Sequence, residues 1–214
     1  MKQKLVFLLC LCLFIGNKAY SQELSTEMQT VYSACIKMSN AIGTSNKQAL
    51  RAANTIFKNA DTKEFQSLRH IGEKTLSLDG HFVFDDVFVD SLLAGHNVYK
   101  FAQRYAQKRT KRGRSAKGNI FTKTCAVKAK SSVKYSFSSK GHQEIAVVTE
   151  PGGLVSLRIY DKTNKKWYND TTDVKKGKPN RHLIFDLPSD KRCSIEIEII
   201  NTSNNDISFV VIRN

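Results

Sequence analysis

The sequence predicts an α+β protein of two domains, a small N-terminal helical domain followed by an antiparallel β-sandwich. Three observations carry this expectation. Apolar residues recur at helical spacing as far as Gln107, and beyond Gly118 they alternate as they do in strands. Between the two lies Lys108 to Gly118, KRTKRGRSAKG, with six cationic side chains, two glycines and no acid. A run with nothing to bury does not offset the entropy of ordering itself, so it is expected to be an exposed hinge. The division is residues 1–21 as an export signal, 22–107 as the helical domain, 108–118 as a basic linker and 119–214 as the sandwich.

The export signal rests on Lys2 and Lys4, the apolar run Leu5 to Ile15, and the small residues Ala19 and Ser21 before Gln22. A charged start, an apolar stretch too short to span a bilayer and small residues before a cut are its usual parts. The competing reading is a lipoprotein. Cys10 and Cys12 each follow a leucine inside the apolar run, which does not fit acylation. No later stretch reaches the length of a membrane helix, so no transmembrane segment is expected. The expected location is periplasmic or extracellular, in an envelope of Gram-negative type.

The formal charge of +15 falls to +12 without Lys2, Lys4 and Lys18, and to +6 without the linker cations as well. Half of the mature excess is thus gathered in one strip: Lys108, Arg109, Lys111, Arg112, Arg114 and Lys117. Such a strip is a solvated linker, a contact for an anionic polymer or membrane surface, or a site for trypsin-like processing. No specific nucleic-acid motif accompanies it.

In the first half, Leu24, Met28, Val31, Cys35, Met38 and Ile42 form one helical stripe, which Gly43 ends. Thr44 or Ser45 is placed to cap a second helix with Ala49, Ala53, Ile56, Phe57 and Ala60 on one side. Asp61-Thr62-Lys63-Glu64 has capping-box spacing and predicts a short helix with Phe65, Leu68 and Ile71 inward. Asp79-Gly80 between apolar runs signals a tight hairpin, with a structured loop as the competing reading. Asp85 or Asp86 then caps a last helix running from Val87 through Tyr105 into the linker.

In the second half, strands are expected at Val133–Phe137, Ile145–Thr149, Val155–Ile159, Trp167–Tyr168, Leu183–Leu187, Ile195–Ile199 and Ile207–Ile212, with turns between them. Cys125 and Cys193 both fall here and make the favoured disulfide pair, with Cys35 left as a buried thiol. Three pairings are open by count.

The succession LVSLRIYD, HLIFDLP, CSIEIEIIN and DISFVVI resembles the jelly-roll-like sandwich domains of pre-peptidase C-terminal type that are appended to secreted bacterial proteins. The resemblance covers Ser132 to Asn214. It implies an accessory module for folding, secretion or binding, without a catalytic set.

An enzyme would show a nucleophile with a base, paired acids or a ligand cluster. His81 with Asp85 and Asp86 is the one compact group of acid and imidazole, and its favoured reading is a hairpin tip followed by a helix cap. The other histidines, His70, His96, His142 and His182, are scattered, and His142-Gln143-Glu144 reads as solvated loop. No cofactor is expected. Calcium is the weaker alternative, through Asp161, Asn164, Asn169, Asp170 and Asp173, which are also ordinary turn residues. Trp167 and Tyr168 are the candidate ligand platform, because one of two neighbouring strand residues must face away from the core. The contrary reading buries the tryptophan and lets the tyrosine reach solvent. Asp170-Thr171-Thr172 matches an O-glycan acceptor pattern, and Asn169 and Asn201 head N-glycan sequons.

These readings favour a secreted, non-enzymatic envelope protein whose sandwich binds a glycan or an envelope protein. The alternatives are a peripheral polyanion binder acting through the basic strip, and a hydrolase built on His81 and its neighbouring aspartates.

Overall fold

The computed structural model describes residues 23–72, 75–105, 119–169 and 177–214. The export signal and the basic strip Lys108 to Lys117 lie outside the described residues. Two helices open the described residues, α1 (Thr26–Gly43) and α2 (Lys47–Asn59). Two short strands follow, β1 (Lys63–Glu64) and β2 (Arg69–Ile71), then α3 (Asp86–Leu93). Eight further strands complete the fold: β3 (Phe121–Val127), β4 (Ser132–Ser139), β5 (His142–Thr149), β6 (Val155–Asp161), β7 (Lys166–Asn169), β8 (Asn180–Asp186), β9 (Cys193–Asn201) and β10 (Ile207–Arg213).

The strands form two sheets, ordered β1-β3-β10-β5-β8 and β2-β4-β9-β6-β7. Without their first members these orders are those of a jelly roll, two interlocked Greek keys packed face to face. All pairings are antiparallel except β1 on β3. The α+β class and the antiparallel sandwich are therefore as the sequence predicts. No helix among the described residues is long and apolar enough to cross a membrane.

The helices do not form a core of their own, which corrects the expected split into two interiors. Met28, Val31, Cys35 and Met38 of α1 and Phe57 of α2 bury against Ala126, Ala146, Val148, Val210 and Ile212 of the first sheet. A second cluster fills the space between the sheets, with Val147, Phe209 and Val211 facing Leu157, Ile159, Ile195 and Ile197. The molecule is thus three layers deep, helices on sheet on sheet. Strand sequences reflect this. β5 and β10 are buried on almost every residue, because both their faces are covered. β4 and β9 alternate buried with exposed or half-buried positions, because one face meets solvent.

The α1 stripe is buried as expected, from Leu24 to Met38, with Ile42 packed at its margin. Its start is tied to the sheet: the backbone N–H of Ser25 donates to both Glu144 carboxylate oxygens at 3.1 Å, and the Ser25 hydroxyl donates at 2.8 Å. Asn46, one residue beyond the expected cap, caps α2 by accepting from Ala49 N–H at 2.9 Å. Ser45 is held at φ 52°, a left-handed turn position unsuited to capping. Ile56 faces solvent rather than the core.

Residues 61–71 correct the sequence reading most. The capping box opens no helix. Lys63 N–H donates to Ile120 O at 2.8 Å and Phe65 N–H to Thr122 O at 2.9 Å, so the chain adds a strand to one sheet. It then crosses and adds β2 to the other, with His70 opposite Tyr135. Phe65 and Leu68, the residues expected on a helix face, close the sandwich interior instead. Edge pairing and burial between the sheets outweigh a local cap worth about 1 kcal/mol. Asp79-Gly80 makes a turn without flanking strands, the competing reading, anchored by Gly80 N–H on Tyr99 O at 2.8 Å. The last helix also stops early. α3 ends at Leu93, and Gly95 at φ 84° turns the chain out of the helix. Helical turns resume at Tyr99–Phe101 and continue through 102–105, so the far end of the expected helix is helical as a separate piece.

Cys125 and Cys193 are both free and buried, as is Cys35, so the favoured disulfide is not formed. Cys125 sits beside Tyr135 and Cys193 lies opposite Ser139. Four residues along β4 separate those neighbours by about 13 Å, beyond the reach of a disulfide.

Candidate ligand-binding face

One sheet face is covered by helices, and the outer face of β4-β9-β6-β7 is not part of that cluster. The residues it presents are set by strand parity. Arg158 and Tyr160 on β6 stand opposite Glu198 and Glu196 on β9, and Tyr160 also stands opposite Trp167 on β7. All of these share one face.

The hairpin that carries Trp167 is built by Asp161. This residue is fully buried, and its carboxylate accepts from Thr163 N–H at 2.9 Å, Asn164 N–H at 3.1 Å and the Asn164 amide at 2.6 Å. Lys165 at φ 54° completes the turn. Asp161 and Asn164, named for the weaker calcium alternative, build the turn here, while Asp170 and Asp173 lie outside the described residues. Asp170-Thr171-Thr172 lies there too. No group of three acidic, histidine or cysteine side chains suited to a metal occurs among the described residues.

Trp167 is 44% exposed. Its ring lies 4.7 Å from that of Tyr160 at 34°, and the Arg158 guanidinium carbon is 4.5 Å from the indole centroid. Arg158 donates to Glu198 at 3.2 Å, and Glu198 also accepts from the Ser132 hydroxyl at 3.3 Å. Beside it Glu196 pairs with Lys162 at 2.8 Å and Lys134 at 3.6 Å. A line of alternating charge therefore crosses the sheet from β4 to the tryptophan, and it holds the arginine and indole in place.

Tyr168 points the other way, as parity requires. Its ring packs on Phe185 at 4.7 Å and its hydroxyl donates to Asp186 O at 3.3 Å. Of the expected platform pair, Trp167 takes the outward position and Tyr168 supports the core. The contrary reading, with the tryptophan inside, is overturned.

The expected grouping of His81 with Asp85 and Asp86 is not assembled. Asp85 caps α3, accepting from Val87 N–H at 2.9 Å and Phe88 N–H at 3.2 Å. The partner of His81 is Glu150, with Nδ1 2.7 Å from Oε1. Glu150 also accepts from Phe82 N–H at 2.9 Å and Ser208 N–H at 2.8 Å. Its hydrogen bond with Glu150 holds His81 above the ordinary imidazole value, against the opposing effect of burial. Burial pushes Glu150 up, but His81 and the two backbone donors together carry it below the usual carboxylate range. Nothing local in the sequence joins residues this far apart.

His142 opens β5 rather than a loop, with Nδ1 2.8 Å from Asp186 and Nε2 3.5 Å from Glu144. Arg213 was also not legible. Its guanidinium carbon lies 4.7 to 5.9 Å from the rings of Phe137, Phe65 and Phe121. Burial there lowers its pKa to about 10.

No protein-family model matches the chain, and no curated protein sequence matches it. Several solved structures are similar over part of it. The Yersinia pseudotuberculosis-derived mitogen is 14% identical, with 45% of this chain and 85% of that chain covered and a TM-score of 0.35. PliG of Salmonella Typhimurium, a periplasmic inhibitor of g-type lysozyme, is 14% identical over 45% of this chain and 90% of its own, with a TM-score of 0.30. TmCBM61, solved with β-1,4-galactotriose, is 11% identical over 45% of this chain and 88% of its own, with a TM-score of 0.23.

Proposed function

We propose that the chain is an exported, non-enzymatic binding protein whose open sheet face takes a glycan, with Trp167 as the principal contact. The observation that carries this is the exposed indole in contact with Tyr160 and Arg158 at the edge of a polar sheet face. A sugar ring offers an apolar C–H face and a rim of hydroxyls. An aromatic plane beside fixed charged groups meets both requirements, since stacking supplies area and the polar groups fix orientation. Arg158, Glu198 and Lys134, linked to one another on the same face, supply donors and an acceptor for the hydroxyls of an extended chain. The accessory-module character implied by the sequence resemblance agrees with this role.

Trp167→Ala is expected to weaken binding to the best ligand on a glycan array by about tenfold to a hundredfold, the worth of one buried aromatic side chain. The variant should keep the far-ultraviolet spectrum of the wild type, because the indole is not part of either buried cluster. Unchanged glycan binding in a folded variant would sink the proposal, and capture of an envelope protein in place of any glycan would redirect it to a protein ligand.

A second reading rests on charge, because half of the mature excess lies in the strip Lys108 to Lys117. On that reading heparin binding falls steeply as salt is raised from about 50 to 200 mM and disappears on charge reversal of the strip. Trp167→Ala leaves it unchanged. The two variants therefore separate the two functions.

A further inference from the structure

β10 ends in an arginine whose direction is set by the pleat. Phe209 and Val211 face the interior between the sheets, so Arg213, two residues further on, enters that interior at its end. There its guanidinium lies against Phe137, Phe65 and Phe121 and donates from Nη2 to the Ser139 hydroxyl at 2.6 Å. Ser139 donates in turn to Gln143 Oε1 at 2.7 Å, which holds the acceptor in place. Nε is enclosed without an acceptor and is out of any ligand's reach. Nη1 differs: it is not enclosed, and no acceptor among the described residues meets it.

Arg213, Ser138 and Ser139 line an open cleft of about 540 Å³ at this end of the sandwich. Two exposed cations stand at its rim, Lys140 in the turn after β4 and Arg192 just before β9. None of the three cations pairs with a carboxylate among the described residues. The acids of the cleft do not balance them. Glu144 is buried and already accepts from the Ser25 backbone and hydroxyl, with His142 Nε2 at 3.5 Å, and His142 is itself shared with Asp186. Glu27 alone remains, one negative charge against three positive.

Burial and repulsion from Arg192 both push the Arg213 pKa down, to about 10, so the guanidinium stays charged at neutral pH while a like charge acts on it. The three rings offset part of that cost through their negative faces. What they do not supply is a counter-charge for Nη1, and a half-buried charge without one is unfavourable. A guanidinium fork is shaped for an oxyanion, which accepts hydrogen bonds and neutralises charge together.

We infer that this cleft binds a small anionic molecule through an oxyanion, a carboxylate or phosphate group, which accepts from Arg213 Nη1 and meets the charges of Arg192 and Lys140. The site shares no residue with the Trp167 face and does not depend on the glycan reading.

Inorganic phosphate, acetate and acetamide test this when titrated into the full chain at constant ionic strength. Binding is read from the backbone NMR signals of Ser138, Ser139 and Gln143, with those of Trp167 and Tyr168 as a control. Phosphate and acetate should shift the first set and leave the second in place. Acetamide has the shape of acetate without its charge and should shift neither. The tighter of the two anions tells a phosphoryl ligand from a carboxylate one. Arg192→Ala changes an exposed side chain, so the fold is kept, and it should weaken both anions about fivefold, the upper range for an exposed ion pair. Arg213→Gln keeps a stem against the rings without the charge and should weaken them about tenfold or more, as loss of a hydrogen bond from a charged group does. Phosphate should also raise the thermal midpoint of the wild type and not that of Arg213→Gln. The inference is overturned if neither anion shifts the cleft signals, if acetamide shifts them as the anions do, or if either variant binds the anions as the wild type does.

Discussion

Val210→Asp is expected to unfold the helices and the sandwich together. Val210 lies on β10 with no exposed surface, and its side chain belongs to the cluster that joins α1, α2 and the first sheet. Its neighbours in sequence, Phe209 and Val211, point into the other cluster, between the sheets. A carboxylate at this position replaces buried methyl groups worth about 2 kcal/mol and sets a charge among apolar side chains. The combined cost is about 4 kcal/mol or more, a large part of the stability of a domain this size. Urea unfolding should be followed by helical circular dichroism and by Trp167 fluorescence, which reports from the far sheet. In the wild type the two curves should coincide, and in the variant both midpoints should fall equally. Loss of the helical signal alone, with the fluorescence transition unmoved, would show two independent units and restore the boundary read at the basic linker.

That boundary was a reasonable inference from composition, and the reason it does not divide the cores was present in the strands. Val133-Lys134-Tyr135-Ser136-Phe137 alternates as a strand with one wet face must, whereas Ile145 to Val148 and Phe209 to Ile212 are apolar without interruption. A strand apolar on both faces needs a second cover, and only the helices were left to supply it. The α1 stripe and seven of the strands were legible because burial imposes a period on each of them. β1 and β2 were not, since a two-residue and a three-residue strand have no period to read, and Lys63 finds Phe121 only after the chain has folded. β3 was missed for a related reason. Thr122, Lys123 and Thr124 interrupt its pattern at an edge that β1 covers only in part.

The candidate face shows the same limit. That Trp167 or Tyr168 must face outward follows from the pleat alone, but which one does so depends on the length of the turn that pairs Trp167 with Tyr160. Its charged line was visible only as separate halves, Arg158 on one strand and Glu196 and Glu198 on another. Glu144, read as part of a solvated loop, proved to be the buried acceptor for the start of α1. Carboxylates that meet donors from distant segments leave no local signature, and Glu150 is the clearest example.

Glu150→Ala is the second substitution expected to have a large effect, and its consequence depends on pH. The carboxylate receives His81 and the backbone N–H groups of Phe82 and Ser208, joining the segment before α3 to the turn after β5 and the start of β10. The Ser208 hydroxyl, donating to Phe82 O at 2.6 Å, adds a fourth bond to the same junction. Truncation leaves two backbone donors without their acceptor, at a cost of about 3 kcal/mol. His81→Ala keeps those two bonds and should cost about 1 kcal/mol. The pH dependence has two sides. Folding raises the His81 pKa above its ordinary 6.5, so the stabilisation it brings is complete below that value and is lost as pH rises through the raised one. Folding lowers the Glu150 pKa below its ordinary 4.5, so its contribution is complete above that value and is lost as pH falls through the lowered one. The pair therefore contributes most between about pH 4.5 and 6.5. Asp206 adds to the elevation of His81 through its charge, so Asp206→Asn should narrow that window from its alkaline side. Thermal midpoints measured from pH 4 to 9 should show the gap between wild type and His81→Ala closing as the imidazole deprotonates. A gap of constant size across that range would mean that His81 contributes packing alone, and that the junction is held by the two backbone donors.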